Sequence, residues 1–265
     1  MHSNVLKLLP FSIIAALSWP VLASDDNLQD MSDPLAVYTQ AGIGYTDKGI
    51  NIKVGQTYDT GKDTTMGMNV LEAKGVLGES LAYRDHATDS FDSIRYRNFG
   101  VDLTNGRGSQ IDVNYSFASE MGTASYSLIQ ALPKLGPVQL YPLAGLGVSF
   151  GNNIDQTLSE NGITGTDFGS GYSIPGTFAV VGMYSKIEVT DKIWLNYNPM
   201  WLTTLSGDSV WYKDQYFAGS SNILTHEIAA SYQINPRTNV RYFANFSQDV
   251  AFDRGEHRVE VNYQF

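Results

Sequence analysis

Gln110-Ile111-Asp112-Val113-Asn114-Tyr115-Ser116-Phe117 alternates without a break. Ile111, Val113, Tyr115 and Phe117 fall on one side and Gln110, Asp112, Asn114 and Ser116 on the other, the period of two that a β-strand imposes. The chain ends on the same pattern, with Val259, Val261, Tyr263 and Phe265 set against Arg258, Glu260, Asn262 and Gln264. Val240, Tyr242, Ala244 and Phe246 alternate with Arg241, Asn245 and Ser247, and only Phe243 breaks the phase. A weaker copy places Ile50, Ile52 and Val54 opposite Asn51 and Lys53.

Turn-forming clusters punctuate these stretches: Asp47-Lys48-Gly49, Asn105-Gly106-Arg107-Gly108, Glu120-Met121-Gly122, Leu135-Gly136-Pro137, Asp191-Lys192, Asn235-Pro236-Arg237 and Asp253-Arg254-Gly255. They divide the chain into about twelve predicted strands, at 35–46, 49–58, 64–76, 91–103, 109–119, 122–133, 138–150, 176–189, 192–204, 221–234, 238–249 and 256–265. Each runs roughly 10 to 14 residues, the length a tilted strand needs to cross hydrocarbon. Only 17% of residues are charged, while Gly number 25 and Tyr 16, a composition suited to strands.

Residues 1–23 carry one charge, Lys7, an apolar stretch from Leu8 to Leu22 and a small residue, Ala23, before Ser24, the layout of a cleaved secretory signal. The chain has no cysteine, which excludes a disulfide scaffold, thiolate chemistry and cysteine-ligated metals. A formal net charge of −10 argues against nucleic acid, which demands clustered Lys and Arg. Beyond the signal no run of 18 residues is apolar enough for a membrane helix, so a membrane location means strands. Residues 24–34, with Asp25, Asp26, Asp30 and Asp33, read as a flexible acidic periplasmic lead-in, and 35–265 as the barrel.

The connections supply an internal check. Outer-membrane barrels place long loops outside and short turns inside. The long connections, 77–90, 151–175 and 205–220, follow the third, seventh and ninth predicted strands, so all three leave from the same end.

With its signal, its alternating strands and the final strand Val259-Glu260-Val261-Asn262-Tyr263-Gln264-Phe265, the chain resembles the outer-membrane β-barrel proteins of Gram-negative bacteria, porin-like in architecture. The resemblance implies an all-β, antiparallel, up-and-down transmembrane barrel in the outer membrane. It also implies contact with lipid and lipopolysaccharide, and recognition of Tyr263 and Phe265 by the barrel assembly machinery.

In lipid an unpaired strand edge is too costly to expose, so 35–45 is expected beside 256–265. Tyr45, Tyr115, Phe117, Tyr197, Trp201, Phe246, Tyr263 and Phe265 take outward phases, suited to interfacial girdles. By phase, Lys53, Asp102, Asp112, Glu227, Arg241, Arg258 and Glu260 are predicted to line the lumen, a nearly neutral set. Such a set either braces the wall with ion pairs or lines an aqueous path. Trp211, Tyr212, Tyr216 and Phe217 concentrate aromatics in an outer loop, as a constriction at the mouth, a surface for a partner, or rim packing. Asp155, Glu160 and Asp167 in the loop 151–175 lack calcium-loop spacing, and neither a metal nor a cofactor is expected.

His226 shares the outward phase of Leu224, Ile228 and Ala230, as resembles the arrangement in outer-membrane phospholipases, but its expected neighbours Pro199, Trp201 and Phe246 include no serine nucleophile. His86 and His257 have no metal-ligand spacing. The leading expectation is a non-enzymatic, narrow passive channel for small hydrophilic solutes. Its alternatives are a plugged barrel acting through its outer loops in surface recognition or adhesion, a soluble periplasmic barrel and, remotely, a lipid hydrolase.

Overall fold

The computed structural model describes residues 28–83, 91–160, 164–207 and 221–265. These build twelve strands: β1 Gln40–Thr46, β2 Gly49–Tyr58, β3 Thr65–Val76, β4 Ser93–Asp102, β5 Arg107–Ser116 and β6 Met121–Gln130, then β7 Val138–Asn152, β8 Tyr172–Glu188, β9 Ile193–Gly207, β10 Asn222–Asn235, β11 Thr238–Ser247 and β12 Glu256–Gln264. Each pairs antiparallel with its sequence neighbours, and β1 pairs with β12 from Gln40 opposite Gln264 to Thr46 opposite Arg258, so the sheet closes. Two short helices, α1 Gly78–Leu81 and α2 Ile154–Glu160, sit in the connections after β3 and β7.

The alternation read from the sequence is the alternation of the wall. Outward positions carry Ile43, Ile52, Leu71, Ile111, Leu128, Leu146, Val181 and Val261, with Ile43 58% and Leu146 63% exposed. Their partners in phase, among them Asn51, Glu72, Gln110, Asn196, Asn239 and Glu260, are buried inside. A soluble protein keeps exposed apolar patches small, so a surface this oily around the whole circumference is stable only against lipid, and the barrel belongs in the outer membrane. Aromatic rings ring the outer end, where Phe117 lies 5.1 Å from Phe91 and 5.3 Å from Tyr115. Tyr263 and Phe265 meet edge to face at 5.1 Å at the opposite rim.

The inner wall needs close strand approach in places. An added Cβ at Gly145 would stand 2.2 Å from Ser127 Oγ and 2.3 Å from the Tyr126 carbonyl oxygen on β6. Gly145→Val is therefore expected to destabilise the barrel by about 1–3 kcal/mol, seen as a lower unfolding temperature of the heat-modifiable species in detergent.

One ladder is interrupted. β8 and β9 pair at Gly182 with Met200 and again at Ile187 with Leu195, with no paired residues between. Side chains close the gap: Ser185 N donates to Asn198 Oδ1 at 3.1 Å, Asn196 Nδ2 donates to the Ser185 carbonyl at 2.7 Å, and Tyr197 N donates to Ser185 Oγ at 2.9 Å. Pro199 stands at the edge of this gap and has no N–H to give a ladder.

The first strand differs from its expected span. Residues 35–38 leave the wall and turn into the bore, while Thr39 O still accepts from Phe265 N at 3.0 Å. The described part of the lead-in, 28–34, is likewise folded into the periplasmic mouth. Asp30 Oδ1 accepts from Ser32 N at 2.9 Å and Asp33 Oδ1 from Leu35 N at 2.8 Å, two Asx-type turns that compact the segment ahead of β1.

Candidate functional site: the barrel lumen

Six of the seven residues expected in the lumen point into it. Lys53 Nζ donates to Glu260 Oε1 at 2.6 Å, and Arg258 Nε lies 3.3 Å from Glu260 Oε2. The guanidinium groups of Arg241 and Arg258 stack over the ring of Phe243, 4.6 and 4.3 Å from its centre. Phe243, which broke the sequence alternation only in residue type, thus serves as the floor on which two like charges are held. Arg241 also donates to Ser231 Oγ at 3.0 Å and Asn196 Oδ1 at 2.9 Å. Asp112 accepts from Arg95 Nε at 2.8 Å and Glu227 accepts from Asn198 Nδ2 at 2.7 Å.

Asp102 is the exception and a correction. It stands at the end of β4 with the opposite phase to Arg95 and Arg97, and its carboxylate caps the β4–β5 turn through Thr104 N at 2.9 Å and Asn105 Nδ2 at 3.0 Å. The Asn105-Gly106 turn signal adjoining it favours a cap over a lumen group.

Several lumen groups carried too weak a sequence signal to be expected there. Glu72 on β3 pairs with Arg97, and Arg95 and Arg97 share the inward face of β4. In Ser93-Ile94-Arg95-Tyr96-Arg97-Asn98-Phe99 both phases mix polar and apolar residues, so alternation alone cannot say which side is wet. Tyr184 Oη donates to Gln110 Oε1 at 3.2 Å. Lys186 reaches Asp30 Oδ2 at 2.7 Å and Glu188 Oε1 at 3.0 Å.

Most charged lumen groups lie on β2 to β5 and β10 to β12, whereas β6 to β9, apart from Lys186 on β8, present Ile129, Tyr141, Leu143, Phe178, Val180, Met200 and Leu202. Leu35 from the inserted segment packs on both the Ile129–Tyr141–Leu143–Val180 cluster and the Val37–Met68–Val70–Val101 cluster. Gln29 N donates to Gln264 Oε1 at 3.1 Å, and Gln264 Nε2 returns a bond to Gln29 O at 3.0 Å. The segment is thus held at its polar ends and by an apolar wedge between them. Burial pushes the Asp30 carboxyl up, but bonds from Lys186 and Ser32 outweigh it and hold the group below the usual carboxylate range. Because that value is depressed, the Asp30–Lys186 contact is in full force above the ordinary carboxylate pKa and weakens only as pH falls through the lowered one. Burial pushes the Tyr38 hydroxyl up to about 12, so its phenol stays neutral.

Three cavities follow one another along the axis. One of about 730 Å³ opens at the periplasmic mouth beside Leu28, Lys186 and Trp194, and one of about 160 Å³ lies at the centre between Tyr38, Glu72, Arg97 and Arg241. A third, about 420 Å³, occupies the outer half. Met31 and Ser32 border both the first and the second, while Arg95, Tyr184, Glu227 and Arg258 border both the second and the third.

His226 faces outward, as its phase requires. Its Nδ1 is 2.9 Å from Tyr197 Oη, and its ring lies between Tyr197 and Phe246, 5.9 and 4.9 Å away. His257 Nδ1 is 2.7 Å from Tyr242 Oη and its Nε2 2.9 Å from Phe252 O. Each imidazole is thus part of an aromatic band. Asp155 Oδ2 accepts from Phe168 N at 2.7 Å and Gly169 N at 3.0 Å, ordering the connection after β7. The signal segment 1–23, His86, and the loop aromatics Trp211, Tyr212, Tyr216 and Phe217 lie outside the described residues.

No protein-family model matches the sequence, and no curated protein matches it. Solved structures do resemble it. A NanC porin is 7% identical over 86% of this chain and 100% of its own, with a TM-score of 0.50. The translocator domain of the autotransporter NalP from Neisseria meningitidis is 13% identical over 91% and 93%, with a TM-score of 0.48. A KdgM porin is 9% identical over 86% and 99%, with a TM-score of 0.44. At such identities the likeness is one of fold, and the fold is a closed, twelve-stranded antiparallel β-barrel like that of the NanC porin.

Proposed function

We propose that the barrel is a narrow passive channel for small hydrophilic solutes, with residues 28–38 narrowing its periplasmic half. The observation that carries this reading is the axial run of cavities bordered by charged and amide side chains. Eight-stranded barrels fill their bore with side chains and those of sixteen or more hold it wide open, so twelve strands leave a restricted path. The ion pairs along that path brace the wall and at the same time offer a water-borne solute both signs of charge.

The mature protein in a planar bilayer is expected to give stable, small unitary steps in potassium chloride. A complete absence of steps from correctly folded, heat-modifiable protein would remove the channel. That outcome would leave the second reading, a plugged barrel acting through its outer loops. The anchoring of Asp30 on Lys186 and Gln29 on Gln264 is what favours it.

A further inference from the structure

The outer cavity, about 420 Å³, is bounded by two walls of opposite character. Lys74, Arg95 and Arg258 border it together with Asp112, Glu227 and Glu256, so among the described residues three cations face it with three carboxylates. Across from them stand Leu143, Val180, Met200 and Leu202. Its volume lies at the small end of the range of about 300–1,000 Å³ typical of small-molecule pockets.

The charged groups are already engaged, two cations with carboxylates of the same wall, Arg258 with Glu260 outside it, and Glu227 with the amide of Asn198. Arg95 Nε donates to Asp112 at 2.8 Å, Lys74 Nζ lies 3.9 Å from Glu256, and Arg258 lies 3.3 Å from Glu260. A solute of one net charge meets no field of a single sign here, and to bind it must break a pair and leave one half uncompensated. A dipolar ion that opens a pair compensates both halves: its carboxylate can lie against a guanidinium while its ammonium lies against the neighbouring carboxylate. The four facing apolar side chains then reward a side chain that sheds water, and give a hydroxyl or an amide no partner of their own, although Thr123, Ser125 and Ser127 stand beside them.

Resting on the channel reading, we propose that this vestibule admits and orients small zwitterions that carry an apolar side chain, the chemical class of branched-chain and aromatic α-amino acids. The charged wall fixes the backbone-like end of the solute, and Leu143, Met200 and Leu202 take its side chain.

Swelling of proteoliposomes made with the mature wild-type protein tests this, with L-leucine, L-asparagine and L-arabinose as solutes. Leucine is expected to enter faster than asparagine by about threefold or more, given what single apolar contacts contribute to discrimination, with arabinose no faster than asparagine. Leu143→Asn combined with Met200→Gln should level the two amino acids. Should that pair fail to assemble, Leu202→Thr alone should narrow the ratio. Equal entry of leucine and asparagine into wild-type vesicles that still show potassium chloride steps overturns this inference alone, as does a preference that survives the wall substitutions. Absence of both swelling and steps overturns the channel itself.

Discussion

Deleting residues 28–38 should raise the unitary conductance of the reconstituted barrel severalfold. The segment occupies the periplasmic half of the bore, with Met31 and Val37 buried there and Leu35 wedged between the two apolar clusters. Current through a narrow water-filled path is set by its tightest cross-section, and taking out a folded turn of chain joins the central and periplasmic cavities. The barrel itself should survive, because β1 to β12 make their ladders without the segment. A milder variant guards against loss of folding. Leu35→Ser weakens the wedge while retaining the polar anchors, and is expected to give larger or flickering steps in the same bilayer measurement. Unaltered steps from both variants would show that these residues lie outside the conducting path.

Glu260→Ala is expected to lower stability by about 3–5 kcal/mol, the usual cost of removing one partner from a buried ion pair. Glu260 is 1% exposed and stands between Lys53 and Arg258, with Asn51 Nδ2 3.4 Å away, so its loss leaves two cations facing each other inside the wall. The pair sits next to the β1–β12 closure, where Gly44 is opposite Glu260 in the register. Denaturant unfolding followed by tryptophan fluorescence or electrophoretic mobility would report the change. Exchanging Lys53 and Glu260 together for Met and Leu should restore only part of the loss, since Lys53 is then no longer an unpaired charge while Arg258 still lacks its carboxylate. A single substitution that left the midpoint unmoved would mean that water screens the pair far better than its burial indicates.

The legible part of this fold was the part where both faces of a strand speak clearly. β2, β5, β11 and β12 alternate strongly, and their phases placed Lys53, Asp112, Arg241, Arg258 and Glu260 on the inner wall. β4 did not, because Arg95 and Arg97 share a strand whose outward side also carries Asn98. Asp102 belongs to the outward phase of β4, opposite Arg95 and Arg97, and the mixed character of that strand hid which phase is wet; its carboxylate caps the following turn. The inserted segment was illegible for a different reason. Leu35 and Val37 carry the period of the strand expected there, and the surface that they and Met31 need instead is assembled only from strands as much as 208 residues away in sequence, as in the contact of Met31 with Asn239. Short-range pattern cannot announce a partner that exists only after closure.

Main-chain ladders hold neighbouring strands about 4.8 Å apart and resist stretching, whereas rotatable hydroxyl and amide groups tolerate a wider spacing. Between β8 and β9 it is Ser185, Asn196 and Asn198 that span the gap. The cylinder is accordingly not equally stiff around its perimeter: lateral pressure from the bilayer will be taken up at that compliant seam. Val180 and Met200 stand on the same two strands, so the oily half of the bore is the half whose shape yields first.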